Sequence, residues 1–416
     1  MRVIGIVAEY NPFHNGHEYL IRKAREIVND PRAIVLVVMS GPFTQRGLPS
    51  VLPKDVRAKQ ALLCGADVVL ELPFTFACAP SERFAFGAIE TLYRTGVVTD
   101  IAFGIDSDNF DLLRKLSETD LENNEAFTAS LKKNLEDGMS FPSARANAIA
   151  DVFEHEDKGE LRNTLRRPNS ILALDYLRAI RIFKKNFNVI AIPRVGDDYD
   201  AADVGSKYPS ATAIRDIIRG CGNSQSALGT KLAGLMPDSS LAVMLSALSM
   251  KKYSFPDMDR YAKSAVMKLD SADETTAYMG DGLLGHIRNT CEKLRSSESD
   301  FDTLMSKLNT KHFTRGRMLR AMASMMTDQS EEFVAAHKHV PYIRVLGFNR
   351  EGRYCLKIMG KCAKVPLIHN CSDFLEHQDD EIASVSALDI KAANLQNVLM
   401  GLPLNTDWDI PPVSVK

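Results

Sequence analysis

Four short apolar runs alternate with stretches of helical spacing near the start of the chain, and this alternation constrains the fold more than any other feature. The runs are residues 2–8, 34–39, 67–72 and 100–103, with helical spacing at residues 17–28, 54–64 and 82–95. Continuous apolar runs are typical of strands buried on both faces, and intervening helices are typical of parallel connections. We therefore predict an α/β fold with a Rossmann-like parallel sheet.

The first predicted strand leads directly into residues 9–17, with the sequence EYNPFHNGH. A turn from a buried parallel strand into a helix is where open α/β sheets bind nucleotides, because the first N–H groups of the helix point at phosphate. Gly16 permits close approach of the backbone, and His14 and His17 place two imidazoles beside the ligand. The alternative is that both histidines are only turn and cap residues, but their position after a buried strand favours nucleotide binding.

Two imidazoles and a helix N-terminus suit adenylyl transfer, because attack on an α-phosphate builds negative charge that such groups stabilise. A second helix start at residues 210–215 supplies the complementary parts. Ser210 and Thr212 carry hydroxyl groups there, and Arg215 carries a guanidinium one turn later, which suits phosphate oxygens. An ordinary N-cap with a surface arginine is the alternative for this segment.

Three single residues are weaker candidates. Gly104 follows the fourth run and is either a turn glycine or a point where a missing side chain admits adenine or ribose. Asn169 could cap the helix that begins there or hydrogen-bond a ligand. Arg194 follows a fifth apolar run at residues 188–193 and resembles Arg215 as a phosphate contact.

The predicted domain boundary lies near residue 225, where the pattern changes to helical spacings rich in Leu, Met and Ala. Residues 1–225 are expected to form a nucleotidyltransferase-like ATP-binding domain in which residues 107–165, charged and without a strand run, form a helical insertion. Residues 226–416 are expected to form a mostly helical domain, with a short strand at residues 342–348. A chain of 416 residues exceeds what one hydrophobic core usually supports, so we expect two domains or one large domain with an appendage.

Charge is unevenly distributed. The net charge of −2 predicts no overall attraction to nucleic acid, yet residues 311–364 hold eleven Lys and Arg against four Asp and Glu. A local basic segment with aromatic residues is typical of an RNA-binding face, and a solvated face over core aromatics is the alternative. The aromatic residues for stacking are Tyr342, Phe348 and Tyr354. The candidate RNA contacts are Arg315, Arg317, Arg344, Arg350 and Arg353.

The sequence predicts a cytosolic protein with no membrane partner. The start lacks a cleavable signal and no apolar run reaches about 18 residues. Seven cysteines without a C-x-x-C pair suit reduced thiols. Mg²⁺ can accompany ATP as a substrate, but no cluster of metal ligands indicates a protein site for it, and the oligomeric state is not specified by the pattern.

Six segments are informative together: residues 7–17, 39–47, 71–74, 103–104, 168–172 and 344–349. Their combination, which extends from residue 1 to about 375, resembles the bacterial tRNA(Met) cytidine acetate ligases. The resemblance implies activation of acetate with ATP to acetyl-adenylate and pyrophosphate. The acetyl group would then pass to the exocyclic amine of the wobble cytidine in elongator tRNA(Met), with release of AMP.

The same resemblance implies which residues bind ATP. They are Val7, Ala8, Glu9, Tyr10, Asn11, Pro12, Phe13, His14, Asn15, Gly16, His17, Glu18, Tyr19, Leu20, Gly104, Asn169 and Arg194. His14 and His17 would hold the phosphates and, with Arg215, form the catalytic set. The chain differs from the family pattern at Leu48, Ala79-Pro80, Ile105-Asp106 and the acidic residues 196–199.

Two other functions stay open. A small-metabolite adenylyltransferase would share the first turn and the Ile-Arg helix start, but such enzymes are usually much shorter. A non-catalytic RNA-binding module with a relic nucleotide site is the second alternative, and the intact histidine pair argues against it.

Overall fold

A computed structural model describes residues 1–106, 110–121, 123–153, 157–194, 208–250, 253–295, 298 and 300–416, so the acidic residues 196–199 lie outside the described chain. The strands of the described residues form one sheet in the order β5-β4-β1-β2-β3-β6-β7, with β8 beside β6. They are β1 (Val3–Ala8), β2 (Ile34–Ser40), β3 (Val68–Leu72), β4 (Asp100–Ile105), β5 (Asn188–Pro193), β6 (Ile343–Phe348), β7 (Leu367–Ile368) and β8 (Val413–Ser414).

The predicted parallel sheet is confirmed. Strands β1 to β5 pair in parallel, with Gly5 opposite Leu36 in β2 and Ile101 in β4. Every residue of β2 and β3 is buried, as continuous apolar runs require when helices cover both faces of a sheet. Consequently the carboxyl ends of β1, β2, β4 and β5 meet at one edge.

Helices of the first half cover the sheet. They are α1 (Asn15–Val28), α2 (Lys54–Leu63), α3 (Phe74–Ala77), α4 (Ser81–Arg94), α5 (Phe110–Glu118), α6 (Glu125–Glu136), α7 (Phe141–Val152), α8 (Lys158–Arg166), α9 (Pro168–Ile182) and α10 (Ala211–Cys221). Helices α4 and α9 pack on one face, and α1 and α2 pack on the other. Helices α5 to α8 lie in the segment predicted as an insertion.

The second half is mostly helical, but it returns to the sheet. Strand β6 pairs antiparallel to β3, with Val345 opposite Leu70. A boundary at residue 225 would therefore divide the strands of one sheet between two domains, and that boundary stays a prediction. The helices are α11 (Gln225–Leu232), α12 (Asp238–Ser249), α13 (Met258–Lys268), α14 (Leu283–Cys291), α15 (Phe301–Leu308), α16 (Arg315–Thr327), α17 (Glu331–Ala336), α18 (Arg350–Cys362), α19 (Asp380–Met400) and α20 (Thr406–Asp409).

Two aromatic side chains, one in the loop after β2 and one at the start of α3, anchor the segments after β2 and β3 in a helical bundle. Phe43 and Phe74 are buried with their rings in edge contact, 5.6 Å between centroids. Both belong to the core formed by α13 to α16 and α19, where Met318 is fully buried. Burial of each ring stabilises the fold by roughly 1.5–3 kcal/mol. The loop after β2 is thus held between the sheet and the bundle.

Within the residues described, no helix is both long and apolar enough to cross a bilayer. The seven cysteines are all free thiols, and four of them are buried.

Candidate active site

The turn between β1 and α1 fixes both imidazoles through their Nδ1 atoms. His14 is the N-cap of α1, and its Nδ1 accepts the N–H of Gly16 at 3.1 Å. Nδ1 of His17 accepts the N–H of His14, also at 3.1 Å. The two rings lie 3.8 Å apart between centroids. Because Nδ1 is an acceptor in each ring, the neutral imidazole carries its hydrogen on Nε2.

Both histidines are neutral at physiological pH. Burial, reinforced by the charges of Arg194 and Arg215, lowers the pKa of His14 to about 3. Burial also lowers the pKa of His17 well below its ordinary value, with smaller contributions from His14 and Arg194. The pair therefore offers hydrogen-bond donors that do not change their protonation state near neutral pH.

Two arginines lie beside the same turn, one from helix α10 and one from the end of β5. Arg215 lies in the first turn of α10, where it donates to the carbonyl of Asn11 at 3.1 Å and to the hydroxyl of Thr212 at 2.9 Å. Arg194 directly follows β5. Ser210 is the N-cap of α10, since its hydroxyl accepts the N–H of Ala213 at 3.1 Å. The N-cap alternative is correct for Ser210, which nevertheless lines the cavity described below.

Gly104 and Asn169 lie beside Arg194. A Cβ added to Gly104 would be 3.3 Å from Cγ of Arg194, so the absent side chain gives the arginine room to cross β4. Asn169 does not cap α9. Its side-chain amide and backbone N–H donate to the carboxylate of Asp106, at 2.8 and 3.1 Å. Asp106 was absent from the predicted site, although it lies where the chain differs from the family pattern.

No residue of the loop after β2 was among the individually predicted site residues. Thr44, Gln45, Arg46 and Leu48 all line the cavity. Their signal was available in the sequence, because loops at the carboxyl ends of parallel strands share one crevice. The same segment, residues 39–47, also contributed to the family resemblance.

These elements enclose one cavity of about 250 Å³. Four residues predicted for ATP lie outside its lining, namely Pro12, Phe13, Asn15 and Glu18. Phe13 is buried, and Asn15 donates to the carbonyl of Gly234 at 2.7 Å, so both hold the turn in place. The other predicted site residues do line it: Val7, Ala8, Glu9, Tyr10, Asn11, His14, Gly16, His17, Tyr19, Leu20, Gly104, Asn169, Arg194, Ser210, Thr212 and Arg215.

The predicted RNA contacts do not form one face, and Arg344 must be removed from them. Its side chain is 4% exposed and donates to Asp407 at 2.8 Å, with Glu71 at 3.3 Å. Burial in a network of opposite charges explains why a basic residue lies here. Tyr342 is buried too, with its hydroxyl donating to Asp389 at 2.5 Å, so it is unavailable for base stacking.

The four remaining arginines lie in two places. Arg315 and Arg317 belong to α16, which packs against the loop after β2. The contact is close, because a Cβ added to Gly47 of that loop would lie 2.4 Å from the backbone of α16. Arg350 and Arg353 are exposed on α18. That helix begins at the amino end of β3, where the N–H of Asn349 donates to the carbonyl of Asp67. Of these two helices, only α16 packs against a loop that lines the cavity.

The arrangement is suited to a nucleoside triphosphate. Two neutral imidazoles, two guanidinium groups and two helix N-termini converge on one cavity, and each is a donor for phosphate oxygens. Among the described residues, no three His, Cys, Asp or Glu side chains are grouped to hold a metal ion.

Comparisons with known proteins agree with this chemistry. Residues 1–407 match the family model described as HIGH Nucleotidyl Transferase. A tRNA(Met) cytidine acetate ligase from Clostridium kluyveri is 32% identical over 90% of this chain and 92% of its own. One from Kosmotoga olearia is 35% identical over 88% and 85%.

Solved structures show the same fold. The crystal structure of apo Thermotoga maritima TmcAL superposes with a TM-score of 0.90 at 30% identity. The structure of Thermotoga maritima TmcAL bound with alpha-thio ATP superposes with a TM-score of 0.87 at 29% identity. In both cases the whole of each chain is covered.

Proposed function

The chain belongs to the tRNA(Met) cytidine acetate ligase family of HIGH nucleotidyl transferases, and on that premise we propose that it is the corresponding enzyme. It activates acetate with ATP and acetylates the exocyclic amine of the wobble cytidine of elongator tRNA(Met), releasing AMP and pyrophosphate. Acting on tRNA, it would work in the cytoplasm. The relatives' names and the ATP-analogue complex of Thermotoga maritima TmcAL support this assignment.

The observation that carries the proposal is the corner of hydrogen-bond donors formed by the neutral imidazoles of His14 and His17 and the guanidinium groups of Arg194 and Arg215. Both imidazoles and Arg215 are held by backbone groups before any ligand arrives, which is the condition under which electrostatic stabilisation is most effective. ATP fits this donor set, with the triphosphate at the histidines and the nucleoside towards Gly104. Mg²⁺ would be carried by the nucleotide.

In the first step an acetate oxygen attacks the α-phosphorus, and the bond to pyrophosphate breaks. His14, His17 and Arg215 stabilise the added charge on the phosphoryl oxygens. In the second step the cytidine amine attacks the acetyl carbon, and AMP leaves. Holding both reactants in one cavity supplies much of the rate, because the transfer becomes effectively unimolecular.

The tRNA would approach over α16. Arg315 is exposed and Arg317 is half-buried on this helix, whose backbone at Leu319 and Arg320 lies against Gly47 in the loop that rims the cavity. Positive charges there can contact phosphates on either side of a nucleotide inserted into the site. Arg350 and Arg353, at the other end of the strands, would contact a more distant part of the same tRNA.

The test is acetylation by the purified protein. With ATP, acetate and elongator tRNA(Met), mass spectrometry of the digested RNA should show acetylated cytidine at the wobble position. Omission of acetate or ATP should abolish the product, as should a tRNA with uridine at that position. Pyrophosphate release that ignores acetate and depends on a phosphorylated metabolite would instead support the metabolite adenylyltransferase.

A further inference from the structure

Glu9 places a carboxylate in the cavity on the side away from Arg194 and Arg215. In the sheet, β4 and β5 lie on one side of β1, and β2 lies on the other. Arg194 and Arg215 follow β5, whereas the side chain of Glu9 accepts the N–H of Gln45 from the loop after β2, at 2.8 Å. Arg194 and Arg215 thus lie at one end of the cavity, and the Glu9 carboxylate lies towards the other, on the same side as Arg46.

The backbone at Glu9 is held in place by Arg57 of α2. This guanidinium is fully buried, and it donates to the carbonyl of Glu9 at 2.7 Å and to that of Ser40 at 2.9 Å. It also donates to the carbonyls of Gly41 and Leu52. Arg57 therefore joins the turn after β1 to the loop after β2, and it sets the position from which the Glu9 carboxylate projects.

The cavity that Glu9 lines has an apolar and aromatic wall formed by α4, β4 and α9. Phe84, Phe103, Leu172 and Tyr176 line the same cavity. Burial raises the pKa of Tyr176 well above its ordinary value, and the charge of Glu9 adds to that rise. Arg46, the nearest basic residue of the loop, is exposed at the rim. A carboxylate here would repel both triphosphate and acetate, so its partner should be a hydrogen-bond donor.

An exocyclic amine of cytosine is such a donor, and carboxylates are the side chains that accept from it. Building on the proposed function, we propose that Glu9 accepts a hydrogen bond from the N4 amine of the wobble cytidine and takes its proton during acetyl transfer. The N4 lone pair forms the bond to the acetyl carbon, the bond from that carbon to the AMP oxygen breaks, and AMP leaves with the electron pair. The proton passes from N4 to the Glu9 carboxylate, so Glu9 is the general base.

The experiment separates the two steps with Glu9→Gln, which keeps the shape and the acceptor for Gln45. Acetyl-adenylate formation is read as acetohydroxamate made from ATP, acetate and hydroxylamine, a nucleophile that needs no base. Transfer is read as acetylated cytidine in tRNA(Met). We expect hydroxamate formation within about threefold of wild type and transfer reduced by about 10²–10⁴-fold, the usual value of a general base.

Glu136→Gln is the matched control, because Glu136 is an exposed glutamate on α6 remote from the cavity, and it should leave both readouts unchanged. Glu9→Asp should recover part of the transfer rate. Loss of hydroxamate formation in Glu9→Gln would assign Glu9 to ATP or acetate and overturn the inference, as would undiminished transfer. A wild-type enzyme that makes no hydroxamate would refute the proposed function itself, which distinguishes the two failures.

Discussion

The rings of His14 and His17 lie with their centroids 3.8 Å apart and their planes tilted by 32°, and the backbone N–H of His14 donates to Nδ1 of His17. The peptide that carries one imidazole thereby orients the other. Since both rings are neutral and hold their hydrogen on Nε2, they present two N–H donors to one site. Such a pair can donate hydrogen bonds to phosphoryl oxygens while staying neutral at physiological pH.

Replacing His17 with alanine should abolish adenylate formation. The change removes one donor and also the acceptor that holds the N–H of His14. We expect acetate-dependent exchange between ATP and pyrophosphate to fall by at least about 10²–10³-fold, the loss typical of an oxyanion donor. His312→Ala, at an exposed histidine, is the control. Full activity in His17→Ala would remove that residue from the catalytic set.

Stability should fall as the pH is lowered from about 6.5 towards about 3, because His14 titrates near 3 when folded and near 6.5 when unfolded. Within this window the unfolded chain binds a proton that the folded chain excludes. The free energy of unfolding then decreases by up to ~1.4 kcal/mol per pH unit from this group. Urea unfolding measured from about pH 6 to about pH 4.5 gives the free energy of unfolding at each pH. This free energy should change less steeply with pH for His14→Asn, which keeps an N-cap acceptor, than for the wild type. Identical slopes would contradict the low pKa.

The two groups of arginines should contact different parts of the tRNA. Arg315→Glu should raise the KM for both full-length tRNA(Met) and an isolated anticodon stem-loop, because α16 adjoins the cavity. Arg350→Glu should raise the KM for the full-length tRNA alone. Each lost phosphate contact should reduce the salt dependence of binding by about one unit of slope. Equal effects of both variants on the stem-loop would refute this placement.

Arg344→Met should destabilise the fold without a specific effect on RNA. The variant leaves Glu71 and Asp407 buried with one cation, Lys54, instead of two. Removing one partner of a buried ionic network costs roughly 3–5 kcal/mol. Thermal or urea unfolding measures this cost, with Arg353→Met as the same substitution at an exposed position, where a change within about 0.5 kcal/mol is expected. A stable Arg344→Met protein with weakened tRNA affinity would restore Arg344 as an RNA contact.

Much of the site followed from local pattern. Residues 9–17 lie between a buried strand and an amphipathic helix, and strand order in a parallel sheet then brings Gly104 and Arg194 to the same edge. Ser210 and Arg215 were recognisable because a helix start has a characteristic sequence. These features depend on residues close in the chain, so they can be read without knowledge of the packing.

For the basic segment at residues 311–364, local pattern did not distinguish buried from exposed arginines. Arg344 and Arg350 look alike in the sequence, yet one is 4% exposed and the other is on the surface. Burial of Arg344 depends on Asp407, which is 63 residues away. Composition cannot distinguish a solvated arginine from one neutralised by a distant carboxylate, because the difference arises from tertiary contacts.

By itself, then, the sequence determined the parallel sheet, the histidine turn and the family, because apolar periodicity and turn chemistry act over short stretches of chain. Tertiary structure alone decided that Asn169 binds Asp106, that Arg57 joins two loops, and that the Glu9 carboxylate accepts from Gln45 on the side away from Arg194 and Arg215. Each of these is a hydrogen bond between segments 36 to 63 residues apart. Such contacts exist only after the sheet has brought the carboxyl ends of its strands together, and they turn a phosphate-binding turn into a site that can accept a cytidine.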